Sequence, residues 1–344
     1  MAAYTTIDNP ELYFQCKIWT GDSGTQAITL DGDENMQPDM VWIKRRSSTR
    51  GHSIFDVVRG ATYGIYPDAS DAQSAGSSQL TSFDSDGFSL GTDDRVSGSG
   101  HTYVSWNWKA GGSGSANNDG SINTTSTSAN STSGISISKF TSTGSAATIG
   151  HGMSAIPKMI WVKRTDSSAS WQVYHASLGA TKYLELQNNQ EVYASSGRWN
   201  DTTPTSSVFS IAGEFGSSAV NISYAFAEKT GYCKIGSYEG NGNADGTFVY
   251  TGFKPAFIMI KRTDASGDWG IFDSKREGYN DEVNRLKPNG TDAEEDDNFM
   301  DIVSNGFKLR VTSSSLNNSS GTYIFMAFAE SPFVNSNGVP TNAK

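Results

Sequence analysis

Cysteine is almost missing from this chain: two residues in 344, Cys16 and Cys233. That excludes a disulfide framework. With only four scattered histidines there is also no Cys/His spacing for a zinc site, so both thiols are expected to be free and partly buried. Basic residues are outnumbered, 26 against 36 acidic, for a net charge of −10. The basic footprint that phosphate binding requires is lacking, and nucleic acid is not expected as a partner. No apolar run is long enough to span a bilayer, so membrane insertion is not expected either. The first residues, MAAYTTIDNPELYF, lack the basic segment and apolar core of a signal peptide, and nothing in them directs Sec export.

Catalytic signatures are missing as well. Gly-X-Ser-X-Gly occurs only as loop composition around Gly112, and there is no phosphate loop or dinucleotide fingerprint. Glycan-cleaving sandwiches place paired carboxylates on one strand facing one cleft. Here the acids sit in loops instead, at Asp31-Gly-Asp-Glu34 and Asp292-Ala-Glu-Glu-Asp-Asp297. Neither loop has EF-hand spacing; loop-bound Ca²⁺ is the one ion they suit, and the expectation is no metal, no cofactor and no enzyme.

What the chain does have is glycine, 36 residues, with abundant Ser, Thr and Asn between short alternating apolar runs, the pattern of strands joined by tight turns. One stretch is written nearly three times, as PDMVWIKRRS from Pro38, PKMIWVKRTD from Pro157 and PAFIMIKRTD from Pro255. Each proline is followed at the same distance by Asp56, His175 and Asp273, preceded by Ile54-Phe55, Val173-Tyr174 and Ile271-Phe272. The block reads as strand, turn, strand. Each copy continues through a turn and a Phe-X-aliphatic strand (SDGFSL, SSVFSI, SNGFKL), with Asp86-Gly87 and Asn305-Gly306 as hairpin turn dipeptides. Each then closes on a half-buried strand, Val104/Trp106/Trp108 matching Ile222/Tyr224/Phe226 and Ile324/Met326/Phe328. In the opening motif, the Lys-Arg pair is expected to carry the strand end out to solvent.

The fold class implied is all-β: three tandem antiparallel β-sandwich domains from a repeat of about 100 residues. The boundaries read as an N-terminal arm over 1–10, copies at 11–110, 134–229 and 230–331, a Gly/Ser/Thr/Asn-rich linker at 111–133, and a C-terminal tail at 332–344. The linker has too little apolar surface to fold and is expected as a flexible coil spanning roughly 27 Å. Copies two and three, which lack such a linker, are expected to pack as a rigid pair with the first tethered separately.

Asp56 is followed by Arg59 and Asp273 by Arg276, whereas the middle copy has His175 and Leu178. Both partners are lost together, which points to structural ion pairs and not to a general acid. For ligand binding, the candidate is Trp199 with Asn200 and Asp201, a flat ring beside polar groups with no tryptophan counterpart in the other copies. Trp171 and Trp269 repeat each other and read as packing.

The segments AYTTIDNPELYFQ, LTSFDSDGFSLG, YVSWNWKAG, VYHASLGATKYL, WNDTTPTSSVFS, GTYIFMAFAESPF and VNSNGVPTNAK resemble an uncharacterised repeat family of tailed-bacteriophage virion structural proteins, especially from phages of marine bacteria. The resemblance implies concanavalin-like or jelly-roll sandwiches, no catalytic residues, synthesis in the host cytoplasm and a place in the virion. The functions it supports are a tail- or fibre-associated protein attaching to a host-surface glycan or receptor, a capsid decoration protein stabilising the head, and, third, an enzyme acting on polysaccharide. Partners would be other virion proteins, in a homo-oligomer.

Overall fold

A computed structural model describes residues 5–276 and 283–332. The arm's first four residues and the tail motif VNSNGVPTNAK lie outside the described residues. The chain is nearly all β, in several antiparallel sheets. Three of these sheets share one strand order. In the first, the opening strand Phe14–Thr20 pairs with the closing strand Thr102–Trp108, which pairs with the central strand Met40–Arg45, which pairs with Ser53–Asp56. The corresponding strands of the second are Ile135–Thr143, Ser217–Phe226, Met159–Arg164 and Gln172–His175; of the third, Cys233–Glu239, Thr322–Pro332, Phe253–Arg262 and Gly270–Asp273. The constant spacing in the sequence is a hairpin register: Met40 pairs with Asp56, Met159 with His175 and Phe257 with Asp273.

A smaller sheet faces each large one, formed by Gln26–Ile28, Gly87–Leu90 and Leu80–Asp84 in the first copy, Ala147–Gly150 with Val208–Ile211 in the second, and Phe248–Tyr250, Gly306–Leu309 and Met300–Val303 in the third. The hairpin turns are Ser85-Asp86 and Ser304-Asn305, between the pairs Asp84–Gly87 and Val303–Gly306. The expected Asp86-Gly87 and Asn305-Gly306 centres are therefore off by one. The glycines answer a close approach by the next strand: a Cβ on Gly87 would lie 2.0 Å from the Ile28 carbonyl oxygen, and one on Gly306 2.1 Å from that of Val249.

The large sheets are buried on both faces. Ile160 and Val162 look toward the second copy's own small sheet, whereas Met159 and Trp161 enter a core shared with Met40, Trp42, Met259 and Phe257. Closing-strand residues Trp106, Tyr224 and Met326 join it. Rings interlock across the copies, Trp42 edge-on to Trp161 at 5.7 Å, Trp106 to Phe257 at 5.8 Å and Phe226 to Phe328 at 6.0 Å. Over Tyr103–Trp108 and Asn221–Phe226 the closing strands are thus fully buried and not half-buried, because both faces are covered.

The three copies close on one another. Gln73 donates its N–H to the Thr165 carbonyl (3.0 Å), Val192 to Thr263 (3.1 Å) and Glu294 to Arg46 (2.9 Å), so a loop of each copy docks on the next and the third returns to the first. The first copy is therefore not tethered apart from a rigid pair. Its Arg46 is also bonded to Glu294 of the third at 2.8 Å.

Residues 111–133 also depart from the expected coil. Asp39 accepts the N–H groups of Ala110 (2.8 Å) and Gly112 (3.0 Å), and Ser126–Asn130 adds to the opening strand of the second sheet in antiparallel register. Ile122 bridges to Ile149 and packs on the second core. The segment needs little apolar surface of its own, since it lays hydrogen-bonding Ser and Thr on a sheet edge that is already formed.

Candidate functional site: an open aromatic edge

The repeated charges belong to the seams between copies. Asp56 accepts from Arg59 Nε at 2.6 Å and Asp273 from Arg276 Nε at 2.6 Å, each pair sealed from solvent. Each carboxylate takes one more donor from a neighbouring copy: Tyr224 Oη–H to Asp56 Oδ2 at 2.6 Å, and Trp106 Nε1–H to Asp273 Oδ2 at 2.9 Å. The third closing strand carries Met326 in that register, with no N–H or O–H to give. Its partner position in the second copy is His175, whose Nδ1 accepts from the Ser177 N–H and whose Nε2 faces the Phe325 carbonyl oxygen at 3.4 Å. Burial pushes the His175 imidazole down to about 4, so it sits there neutral. The loss of Asp and Arg together in the middle copy therefore follows from a missing donor in the third.

The Lys-Arg end of the motif is also internal. Lys44, Lys163 and Lys261 are fully buried, each Nζ donating to the carbonyl of the following arginine at 2.7, 2.8 and 2.6 Å. Burial lowers all three to about 8. The exit to solvent is made by Arg164 and Arg262, bonded to Asp166 and Asp264, while Arg45 of the first copy is itself buried against Asp94.

Trp199 is not available as a saccharide platform. It ends the short helix Ser196–Trp199, is 1% exposed, and packs edge-on to Tyr174 at 5.8 Å and against Phe215 at 5.5 Å. Asn200 and Asp201 are exposed at left-handed φ angles of 51° and 46°, the turn that sends the ring inward. The polar neighbours that looked like a ligand rim are a helix cap. Trp171 and Trp269 are buried too, and their Nε1–H groups reach across the seams to the carbonyls of Tyr66 and Glu185.

The copies differ at the edge between the opening strand and the small sheet. In the first copy, residues 31–34 cross the edge: the Gly32 N–H donates to Gln15 Oε1 at 2.9 Å, and Lys17 pairs with Asp31. In the second, Ser126–Asn130 lies along it, with Thr127 donating to Ser138 Oγ at 3.0 Å. In the third, Glu228 and Lys229 meet only the start of the strand, at Ile235 and Cys233, and no such segment covers the rest among the described residues, because only Thr251 and Gly252 separate the Phe248–Tyr250 strand from the central strand. Gly236 stands in register where the other copies have Lys17 and Ser138. The Phe325 ring lies 3.0 Å from where its Cβ would be, so this ring, itself buried, takes the space of the absent side chain and floors the groove.

The resulting groove has a volume of about 360 Å³ and runs between Tyr238 and Phe325 on one side and Phe248 and Tyr250 on the other. Val249 points into the core, so alternation turns Phe248 and Tyr250 outward, 45% and 55% exposed. Tyr238 is held flat by stacking on Tyr323 at 4.9 Å, and its hydroxyl donates to the Leu316 carbonyl at 2.7 Å. The rim is charged but paired. Lys234 binds Glu228 at 2.8 Å, Lys308 binds Asp245, and Arg310 Nε binds Asp301 at 2.6 Å. Hydrogen bonding to Lys308 holds the Asp245 carboxyl below its usual range.

The sequence held one signal for this edge, the alternation Phe248-Val-Tyr250, which was not singled out from the sequence. Among the described residues no group of three His, Cys, Asp or Glu is placed to hold a metal, and no helix is long and apolar enough to cross a membrane. A family model described as "Domain of unknown function (DUF7483)" matches residues 9–332. No curated protein and no solved structure matches the chain.

Proposed function

We propose that this chain, which belongs to the DUF7483 family, is a bacteriophage virion structural protein of the tail or fibre apparatus that attaches to the host surface and catalyses no reaction. The observation that carries the reading is the third copy's open edge. Two equivalent edges are covered by the chain itself, and the third leaves two large aromatic side chains in solvent. Exposed aromatic clusters on a folded surface mark interaction sites. We further infer that each large sheet and its small partner form one sandwich of the jelly-roll or concanavalin kind, repeated three times, and that the rest of the surface serves anchoring and assembly with other virion proteins and with further copies of this chain.

The sequence segments that resemble phage structural proteins are the ground for the location, and the bonds across the seams support a rigid body. The closed arrangement of three copies favours a second reading, a capsid decoration protein, since a body with threefold character fits a site where three shell subunits meet. Two measurements separate the readings. An electron-microscopy map of the particle should place the chain at the tail, and density on the capsid lattice would end the tail reading. Purified protein should compete with particles for adsorption to host cells; unchanged adsorption at saturating protein would end the attachment reading.

A further inference from the structure

Resting on the reading of the third copy's edge as the recognition surface, we infer that its ligand is a neutral saccharide, bound with sugar-ring faces against Phe248 and Tyr250. The chemistry of the groove narrows the choice. A pyranose presents a face of C–H groups and a rim of hydroxyls, so it asks for flat apolar surface bordered by hydrogen-bonding groups. Phe248 and Tyr250 provide the surface. Ser237 beside the groove and the Tyr250 hydroxyl provide the border, with the backbone groups of the strand edge around Ser237, between Ile235, whose N–H goes to Glu228, and Glu239, whose carbonyl accepts from Thr247.

Charge excludes the nearest alternatives. Lys234, Lys308 and Arg310 are each already bonded to Glu228, Asp245 or Asp301, so no cation on this rim is left to attract a phosphate, a nucleic acid or an acidic sugar. Those ion pairs still offer spare lone pairs and N–H groups to neutral hydroxyls. A groove of about 360 Å³ falls in the range of small-molecule sites, roughly 300–1,000 Å³. It is open along its length, which suits the interior of a polymer. Cross-strand geometry also prepares it. The Phe248 ring leans over Gly306, with Cε2 3.1 Å from where a Cβ would be, so the ring is positioned before a ligand arrives.

The equivalent places in the other copies show what a closed edge looks like. The residues flanking Ile28 are Ala27 and Thr29, and those flanking Ile149 are Thr148 and Gly150. Neither copy presents an aromatic there.

The test is direct binding by the full chain to an array of neutral and acidic glycans, followed by calorimetry and by gel retardation in the polysaccharides that score. Phe248→Ala and Tyr250→Ala should each weaken binding at least tenfold while leaving thermal unfolding unchanged. Tyr63→Ala, an exposed tyrosine on the first copy, should change nothing. Binding confined to acidic glycans, neutral binding undiminished by both variants, or no binding across the array would each overturn the inference. If the chain binds no glycan yet still blocks adsorption, the saccharide is wrong and the attachment reading stands. If sedimentation shows a self-associated species that Phe248→Ala dissociates, the edge holds a second copy of this chain and the inference falls.

Discussion

Replacing Tyr224 with phenylalanine removes one oxygen from a fully buried site and nothing else. The ring keeps its place in the shared core, and the change removes the bond from the second copy to Asp56 of the first, 2.6 Å long, together with the longer one the hydroxyl accepts from Arg59 Nη2 at 3.4 Å. A hydrogen bond to a buried charge contributes about 1.5–3 kcal/mol. Asp56 keeps three other donors, the N–H groups of Val58 (3.0 Å) and Arg59 (2.8 Å) and the Arg59 guanidinium (2.6 Å), so the carboxylate is not stranded and the lower half of that range applies. The expected loss is about 2 kcal/mol. If all 344 residues unfold together, that lowers the midpoint by about 3 °C, from an unfolding entropy near 2.1 cal/mol/K per residue. Differential scanning calorimetry and urea titration read it, with the m-value unchanged. Met326→Leu, at the matching place in the third copy where no polar bond exists, is the control and should cost less than about 1.5 kcal/mol with no polar component. A Tyr224→Phe loss under about 0.5 kcal/mol would refute the claim that the seam is held by this shared carboxylate.

Acid should loosen the whole body. The unfolded chain takes up a proton at His175 near pH 6.5, but the folded chain does so only near pH 4, so the stability this residue contributes is complete above 6.5 and falls by up to about 3 kcal/mol as the pH drops to 4. Burial drives His52 and His151 in the same direction, and Glu294, which Arg46 and Arg276 hold down to about 2 against the effect of burial, adds a further loss between about pH 4.5 and 2. A midpoint that stays level or rises between pH 7.5 and 5 would contradict these assignments. Trp199→Ala should destabilise the protein by about 3–5 kcal/mol, as expected for an emptied core site, while glycan affinity measured below the unfolding transition is retained. A loss of binding at intact stability would restore Trp199 as a ligand contact. Limited proteolysis should spare 111–133 as long as it spares the sheets; early cleavage there would return the segment to a coil.

Most strands were legible because their signals are local. Constant spacing from Pro38, Pro157 and Pro255 gave the hairpin registers, and alternation over 102–108 and 217–226 gave the closing strands. The Asp-Arg pairs were legible as pairs because the two residues disappear together. Nothing local says that Tyr224 and Trp106 would complete them from another copy, since those partners are 168 and 167 residues away. Trp199 was misread for the same reason. Ser-Gly-Arg-Trp-Asn-Asp is polar on both sides of the ring, and only the left-handed turn at Asn200 and Asp201 decides that the indole goes inward.

By itself, then, the sequence determined an all-β chain, its repeated block and the pairing within each hairpin, because strand propensity, two-residue alternation and turn chemistry act between near neighbours. The tertiary structure alone decided that the three copies share one core, that the Ser/Thr-rich stretch becomes a strand, and which of three similar edges stays open. Those outcomes depend on what covers each surface. The cover comes from parts of the chain far away in sequence: a four-residue crossing at 31–34, an added strand at Ser126–Asn130, and no crossing where Thr251 and Gly252 leave too little chain to make one.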